Sequence, residues 1–259
     1  MMAAQPILID THAHIYEDRI LAEIGTYISR ASENKVGMIM MPNIDLSSID
    51  KMLFIEDQYP TTKSMMGLHP CHVFDDFKTV LSEMEEWFGK RNFVGVGETG
   101  IDLYWDKSFV EQQMAAFDIQ IAWARSQRLP VIIHSRESID MCIEMVSERQ
   151  DGSLTGVFHC FTGDEIQAKQ IKDLGFYIGI GGVVTYKNSE LPKVLIDNGL
   201  SNVVLETDSP YLPPVPHRGK LNEPAFIPYV VEKLGEVFQL EKEQIEALTT
   251  KNASQLFNL

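Results

Sequence analysis

Eight short apolar runs, each followed by an amphipathic, helix-like stretch, constrain the fold more than any other feature of this 259-residue sequence. Most of the runs are continuously apolar rather than alternating, as is typical of parallel strands that are buried on both faces. Eight strand–helix units in about 250 residues predict an α/β fold of the (β/α)8 TIM-barrel type, with residues 1–259 forming a single domain. The runs occupy residues 7–12, 36–41, 64–69, 93–98, 130–134, 156–160, 176–181 and 202–208.

A doubly wound parallel sheet is the main alternative architecture. That fold usually carries a glycine-rich phosphate-binding loop after its first strand. Here the first run continues as IDTHAHIY, which contains no glycine. The sequence therefore favours the barrel. The amphipathic segment at 241–257 predicts an extra C-terminal helix packed outside it.

Local signals also predict where two of the connecting helices begin and where one ends. Ser108 and Glu111 have the spacing of a capping box, and Thr162 and Glu165 repeat that spacing. Gly175 stands where a glycine would end the second of these helices. These positions predict helices that begin near residues 109 and 163.

Metal-ligating residue types recur where the predicted strands end. The C-terminal ends of barrel strands converge on one mouth, where active sites lie. Imidazole nitrogens suit zinc, manganese, iron or cobalt, and carboxylate oxygens also admit magnesium. Six residues of these types lie at predicted strand ends, and each alone has an ordinary explanation as a core, rim or capping residue. Together they predict one shared site for two divalent cations, with Glu98 bridging the two. The six residues are His12 and His14 at strand one, Glu98 at strand four, His134 at strand five, His159 at strand six and Asp208 at strand eight.

The charge balance limits the partners that are expected. The formal net charge is −15, so a protein that coats duplex DNA through a basic face is not expected. A nucleic-acid end or a small phosphodiester remains a candidate substrate if bound cations and a few arginines make the site locally positive. Three cysteines without a CxxC pair predict reduced thiols and a cytoplasmic protein. No signal peptide, membrane-spanning run or obligate protein partner is predicted.

Seven motifs together give the sequence a resemblance to a known family. They are DTHAH, GLHP, GVGETGID, IIHSRES, FHCFTG, ETDSPYL and RGKLNEP. The sequence resembles the TatD family of metal-dependent hydrolases, within the amidohydrolase-like TIM barrels, essentially from end to end. The resemblance implies a hydrolase with two divalent ions, zinc, manganese or magnesium, and the deoxyribonuclease or 3′–5′ exonuclease activity of several members. By motif position it implies the same six ligands, and it places His69, Arg136 and Glu206 near the phosphate or behind the ligands.

Each residue of this predicted site has an expected task. Asp208 holds one metal and accepts the proton of the attacking water, and Glu98 bridges the two metals. Arg136, two residues beyond the ligand His134, grips a pair of phosphate oxygens, unless it is a surface arginine near a helix start. Arg218 lies on the loop after strand eight, where barrel enzymes often bind phosphate, and a solvated loop charge is the alternative.

Four further residues are expected to support the site. His69 contacts the substrate or caps its loop. Glu206 binds the substrate or orients a ligand histidine, with a buried carboxylate paired with an arginine as the alternative. Asp10 supports the first ligand histidine from below, and Asp102 holds a loop beside the predicted bridging glutamate.

The chemistry leaves three functions open. The first is a nuclease acting on strand ends, in which Tyr104 and Trp105 stack on a base, although both could simply cover a helix. The second is hydrolysis of an amide, lactone or ester, which the lack of basic surface favours. Many amidohydrolase-like relatives bridge their metals with a carboxylated lysine. Here Glu98 stands at that position, which favours the nuclease function. The third is a scaffold that has lost turnover, which the complete set of six ligand types disfavours.

Overall fold

Eight strands alternate with helices over residues 8–259, the part of the chain that the computed structural model describes. Each strand overlaps one of the eight predicted runs, although Ile7, the first residue of the first run, lies outside the described residues. The strands are β1 (Leu8–Asp10), β2 (Val36–Pro42), β3 (Thr62–Met65), β4 (Val96–Asp102), β5 (Val131–Arg136), β6 (Gly156–Phe158), β7 (Tyr177–Ile180) and β8 (Val203–Leu205).

The strands pair in chain order around a ring. Hydrogen bonds join β1, β2 and β3 into one parallel sheet and β4 to β8 into another. The two sheets meet at both edges through isolated parallel bridges, Met66 with Val96 and Ala13 with Ser209. A doubly wound sheet would instead reverse its strand order at a switch point. The (β/α)8 barrel prediction is therefore confirmed.

Helices cover the outside of the ring, and most of them connect successive strands. None of those over residues 8–259 is both long enough and apolar enough to cross a bilayer. The α-helices are α1 (Asp18–Leu21), α2 (Ile24–Glu33), α3 (Ile49–Gln58), α4 (Phe77–Glu85), α5 (Val110–Gln127), α6 (Ile139–Arg149), α7 (Glu165–Asp173), α8 (Leu191–Asn198), α9 (Ile227–Phe238) and α10 (Lys242–Phe257).

Two apolar layers explain why the strands are apolar on both faces. The larger layer lies between the strands and the surrounding helices and includes the fully buried Phe117 and Phe176. The smaller layer lies inside the ring, where strand side chains such as Met40, Ile132 and Val204 meet. Alternation along each strand sends successive side chains to these two layers, so neither face contacts water.

The predicted C-terminal helix is confirmed as α10, and it closes one end of the barrel. Leu256 and Phe257, in its last turn, pack against the inner apolar layer. Asn252 Nδ2 donates hydrogen bonds to the carbonyls of Leu200 and Val203, each at 2.8 Å. Val203 begins β8, so α10 lies at the N-terminal end of the strands, opposite the mouth where barrel active sites lie.

The two predicted capping boxes are wrong, each by a local shift. α5 starts without a side-chain cap, because Ser108 lies in the preceding turn, where its N–H donates to Asp106 Oδ1. At α7 the box forms two residues later than predicted, from Asp164 and Gln167. The predicted glycine stop is confirmed: Gly175 follows α7 with φ 80°, a left-handed conformation that glycine adopts readily.

Candidate metal centre

Five strands bring the six predicted ligand residues together at one mouth of the barrel. Their side chains range from fully buried to partly exposed, and they come from parts of the chain nearly 200 residues apart. They are His12 and His14 after β1, Glu98 in β4, His134 in β5, His159 after β6 and Asp208 after β8.

Glu98 lies inside its strand, whereas the sequence predicted it at a strand end. It is the third residue of β4, which continues to Asp102. The β4–β5 register shifts between Val96 and Thr99, and irregular pairing of this kind re-aims side chains. Gly97 before it has φ 155°, and a Cβ at that position would lie 2.7 Å from Ile132 Cβ. The glycine therefore allows the close strand approach that positions Glu98.

The Glu98 carboxylate lies between two pairs of imidazoles. Its Oε2 is 3.1 Å from His12 Nε2 and 3.2 Å from His14 Nε2. Its Oε1 is 2.9 Å from His134 Nδ1 and 2.8 Å from His159 Nε2. One carboxylate with a pair of nitrogen donors at each oxygen is the arrangement expected of a bridging ligand.

Asp208 completes the first of these two groups. Its Oδ1 lies 3.8 Å from His12 Nε2 and 3.6 Å from His14 Nε2. The residue has φ 55°, and its N–H donates to the His12 carbonyl at 2.9 Å, which ties the turn after β8 to the end of β1. Burial raises the pKa of the Asp208 carboxyl to about 6.

At Glu98 and His12, charge and burial favour the protonation states that metal ligands need. At His134 and His159, in contrast, burial would lower the pKa of the imidazole, but facing carboxylates that include Glu98 outweigh burial and raise that pKa. Burial alone would raise the pKa of Glu98, but the facing imidazoles of His159, His69 and His12 outweigh burial and hold that pKa well below its usual range. Burial and the neighbouring His159 lower the pKa of His12 well below its usual value. An ionised carboxylate and a neutral imidazole are the forms that bind a cation.

The donor set fits divalent metal ions. Nitrogen and oxygen donors converge in three overlapping groups, and within each group the atoms lie within 4.8 Å of one another. Neutral imidazoles with a few carboxylates suit zinc and manganese, and the carboxylate oxygens also admit magnesium. The groups are His12 with His159 and Asp208, His12 with His14 and Glu98, and His69 with Glu98 and His134.

Two side chains behind the donors determine which nitrogen of a ligand histidine faces the centre. The Tyr16 hydroxyl donates to the Pro42 carbonyl, so its oxygen accepts the Nδ1 proton of His14 at 2.9 Å. Asp102 Oδ2 accepts the Nε2 proton of His134 at 2.8 Å. In each case the other ring nitrogen is turned toward the Glu98 carboxylate, where a cation could bind it.

Asp10 supports the end of β1, as the sequence predicts. Its Oδ1 accepts from the N–H groups of His12 at 3.3 Å and Thr207 at 2.9 Å, and its Oδ2 accepts from Thr207 Oγ1 at 2.6 Å. Burial raises the pKa of this carboxyl to about 7. The contacts join the first ligand histidine to the chain that leads into Asp208.

Glu206 is not placed where it could touch a substrate, so this part of its predicted role does not fit the structure. Its side chain is fully buried and does not line the cavity. Its Oε1 accepts from the Cys160 N–H and lies 3.7 Å from His159 Nδ1. The space beneath it exists because Gly179 has no side chain, since a Cβ there would lie 2.1 Å from Glu206 Oε2. The geometry fits the other predicted role, orienting a ligand histidine.

A cavity of about 830 Å³ opens at the mouth beside the donors. His69 and Arg136 both line it, as a substrate contact requires. His69 Nε2 is 3.3 Å from Glu98 Oε1, while its Nδ1 accepts from the Cys71 N–H at 3.1 Å. His69 therefore combines its two predicted roles, facing the site and capping its own loop.

Comparison with known proteins identifies the family. The family described as TatD related DNase matches residues 9–258. The chain belongs to the TatD family. It is 34% identical, over 98% of its length and the whole of the relative, to the uncharacterized metal-dependent hydrolase YabD of Bacillus subtilis. The crystal structure of YjjV, a TatD homologue from Escherichia coli K12, superimposes with a TM-score of 0.93 at 28% identity, covering 99% of this chain and 100% of that one.

A second solved structure agrees on the fold. A TatD-family hydrolase from Entamoeba histolytica superimposes with a TM-score of 0.84 at 21% identity, over 98% of this chain and 99% of that one. The family match and the relative from Bacillus subtilis together identify this TatD-family protein as a metal-dependent hydrolase.

Arg218 is the predicted site residue that the structure does not bring to this TatD-family site. It does not line the cavity, and its guanidinium carbon lies 4.0 Å from the centre of the Tyr186 ring. Tyr16, in contrast, was not singled out from the sequence. Its position two residues after His14 could have revealed it, because the alternation that pairs the two histidines extends to Tyr16.

Proposed function

We propose that this TatD-family hydrolase cleaves phosphodiester bonds at nucleic-acid ends, as a deoxyribonuclease of the 3′–5′ exonuclease type. One observation carries the proposal: an unpaired arginine, Arg136, lies on the wall of the cavity that holds the metal donors. Over residues 8–259, no carboxylate oxygen lies within 4.0 Å of its side-chain nitrogens, whereas Arg30, Arg91, Arg125 and Arg149 each pair with one. A free guanidinium beside a metal centre suits a phosphate.

We propose two divalent ions, zinc, manganese or magnesium, shared by Glu98. His12 and His14, with Asp208, would hold one ion beside Glu98 Oε2, and His134 and His159 would hold the other beside Oε1. Bound ions of this kind lower the pKa of water and stabilise the negative charge that develops on phosphate oxygens.

The protein supplies the proton transfer and the positioning. Asp208 Oδ accepts the proton of the attacking water, since it faces the donors and lines the cavity. Arg136 donates two parallel N–H bonds to the non-bridging oxygens of the scissile phosphate. His69, whose Nε2 lies 3.3 Å from Glu98 Oε1 and which lines the cavity, donates to a substrate oxygen.

Hydrolysis of a small amide, lactone or ester is the second candidate, because the charged side chains of the cavity wall are mainly acidic. Glu17, Asp102 and Glu137 line it together with the carboxylate donors, and Arg136 is the one lysine or arginine among the described lining residues. An uncharged substrate would avoid the repulsion that a polyanion meets at such a wall.

An oligonucleotide assay, run beside a panel of lactones, esters and amides, separates these functions. Purified protein is incubated with each candidate ion and a 5′-labelled oligonucleotide, and we expect products that shorten stepwise from the 3′ end. His134→Ala should lower the rate at least a hundredfold, whereas His217→Ala should not, since His217 stacks on Phe226 and does not line the cavity. Circular dichroism checks the fold of both variants.

The outcomes of the assay are distinct. Turnover of a lactone, ester or amide panel without any oligonucleotide cleavage would replace the nuclease proposal with the second candidate. A protein that binds metal but turns over neither class of substrate would be a scaffold.

We also propose a cytoplasmic location. Cys71, Cys142 and Cys160 are all free thiols in the structure, which supports a reducing environment.

A further inference from the structure

Trp105 is an exposed aromatic side chain at the edge of the metal cavity. It is 70% exposed, whereas Trp123 is 5% exposed, and it contributes to the cavity lining. Its ring meets the Tyr104 ring edge to face, with centroids 4.8 Å apart at 87°. Burying a large aromatic surface is favourable, so a ring left open beside a substrate cavity is a natural contact for an apolar, planar ligand.

The loop that carries the two aromatic residues is fixed at the end of β4. Asp102 Oδ1 accepts from the N–H groups of Tyr104 at 2.9 Å and Trp105 at 3.1 Å. The Leu103 N–H donates to the Arg136 carbonyl at 3.0 Å, which joins the loop to the end of β5. Because Asp102 also binds the ligand His134, the aromatic pair and the metal donors have one common anchor.

Tyr104 and Trp105 have different neighbours. The guanidinium carbon of Arg136 lies 3.6 Å from the centre of the Tyr104 ring but 5.5 Å from that of Trp105. Tyr104 does not line the cavity, so it supports Arg136 from behind. Trp105 is left as the ring that a substrate can reach.

We propose that Trp105 is the stacking platform for a nucleobase that flanks the scissile phosphate, while Arg136, supported by Tyr104, binds the phosphate itself. This inference rests on the proposed nuclease function. Every nucleobase has a π-face, so the platform recognises a base without selecting its identity. Recognition of a planar base next to a phosphate also explains how so acidic a chain can retain a polyanionic substrate.

The test compares Trp105→Ala with the wild-type protein on oligonucleotides that differ only in one abasic residue, placed at each of the last three 3′ positions in turn. On the intact oligonucleotide we expect Trp105→Ala to lower kcat/KM about tenfold or more, through KM. The loss should disappear when the abasic residue occupies the stacked position, since there is then no base to contact. Trp105→Phe should recover most of the loss.

Two controls accompany the comparison. Phe54→Ala removes another exposed aromatic side chain, one that does not line the cavity. It should leave kcat/KM unchanged on both the intact and the abasic oligonucleotides. Metal content by elemental analysis should be equal in all variants.

The inference is overturned if Trp105→Ala has no effect on the intact oligonucleotide, or if it costs the same factor at every abasic position. Continued cleavage in either case leaves the nuclease proposal standing. If the wild-type protein cleaves none of the oligonucleotides, the nuclease proposal fails and the platform fails with it.

Discussion

Asp208 has two tasks in the proposed mechanism: it binds a metal ion and it accepts the proton of the attacking water. Its carboxylate faces two ligand histidines, and its backbone has a left-handed φ of 55° that a non-glycine residue seldom adopts. Surrounding contacts, such as the bond from the Asp208 N–H to the His12 carbonyl, must therefore hold this backbone conformation in place.

Replacing Asp208 with asparagine keeps its size and one oxygen donor but removes its ability to accept a proton. We expect kcat to fall by about 10² to 10⁴ while folding and most of the metal content remain. Asp197→Asn, an exposed aspartate on α8, is the matched control and should behave as wild type. Undiminished turnover in a folded, metal-loaded Asp208→Asn protein would remove Asp208 from the mechanism.

Tyr16 offers a test of the residues behind the donors. Tyr16→Phe removes the oxygen that accepts the His14 Nδ1 proton, so His14 is no longer held in the tautomer that leaves Nε2 free. We expect metal affinity to fall about 10- to 100-fold, measured by competition with a chelator. His14→Ala should go further and lower the metal stoichiometry. Equal affinities in Tyr16→Phe and wild type would show that the hydroxyl does not tune the ligand.

At the scale of elements, the turn after β8 is held by a buried asparagine from the RGKLNEP motif. Asn222 Nδ2 donates to the carbonyls of Thr207 at 2.6 Å and Tyr211 at 2.7 Å. Ser209 Oγ donates to the Asn222 carbonyl at 2.8 Å. These bonds fix the short segment that contains Asp208, which gives the motif a physical task.

Asn222→Ala leaves two carbonyl groups without their donor in a buried region. We expect the free energy of unfolding to fall by about 2–4 kcal/mol, measured by urea denaturation, and kcat to fall more than KM rises. Asn34→Ala, which removes a bond to the Arg30 carbonyl on an exposed helix end, should cost within about 0.5 kcal/mol. If Asn222→Ala lowered the free energy of unfolding but left kcat of the folded protein unchanged, Asn222 would have no role in positioning Asp208.

The sequence predicts the elements of this fold better than it predicts the orientation of individual side chains. Apolar runs locate all eight strands, and metal-ligating residue types at or near their ends locate the candidate donors, because both depend on local chemistry. Strand alternation predicts Glu206 on the same face as Asp208, two residues away. The chain leaves β8 at Leu205 and then turns, so strand alternation no longer applies and Glu206 is directed beneath His159. Arg218 shows the same limit, since its contact with Tyr186 depends on long-range loop packing.

At the scale of the whole molecule, stability and chemistry lie at opposite ends of the barrel. Phe257, 5% exposed, belongs to the end that α10 closes. We expect Phe257→Ala to lower the free energy of unfolding by about 3–5 kcal/mol, measured by denaturant titration, with kcat unchanged below the melting temperature. Leu259→Ala, half exposed at the chain end, is the control and should have little effect. A matching loss of kcat in folded Phe257→Ala would show that the two ends are coupled.

We expect the proposed metal site to make the stability of the whole barrel depend on bound ions. Its side chains lie on or just after β1, β4, β5, β6 and β8, so the two proposed ions together join both sheets and have no equivalent site in the unfolded chain. At one hundred times Kd an ion adds about 2.7 kcal/mol, which corresponds to roughly 5–10 °C in Tm for a chain of this size. Thermal scans with EDTA and with zinc, manganese or magnesium should show this rise in wild type and a reduced rise in His134→Ala. If elemental analysis finds bound metal but Tm is the same with EDTA and with added ion, the ion lies elsewhere, because a cation held by donors from three strands of the folded barrel cannot leave the unfolding equilibrium unchanged.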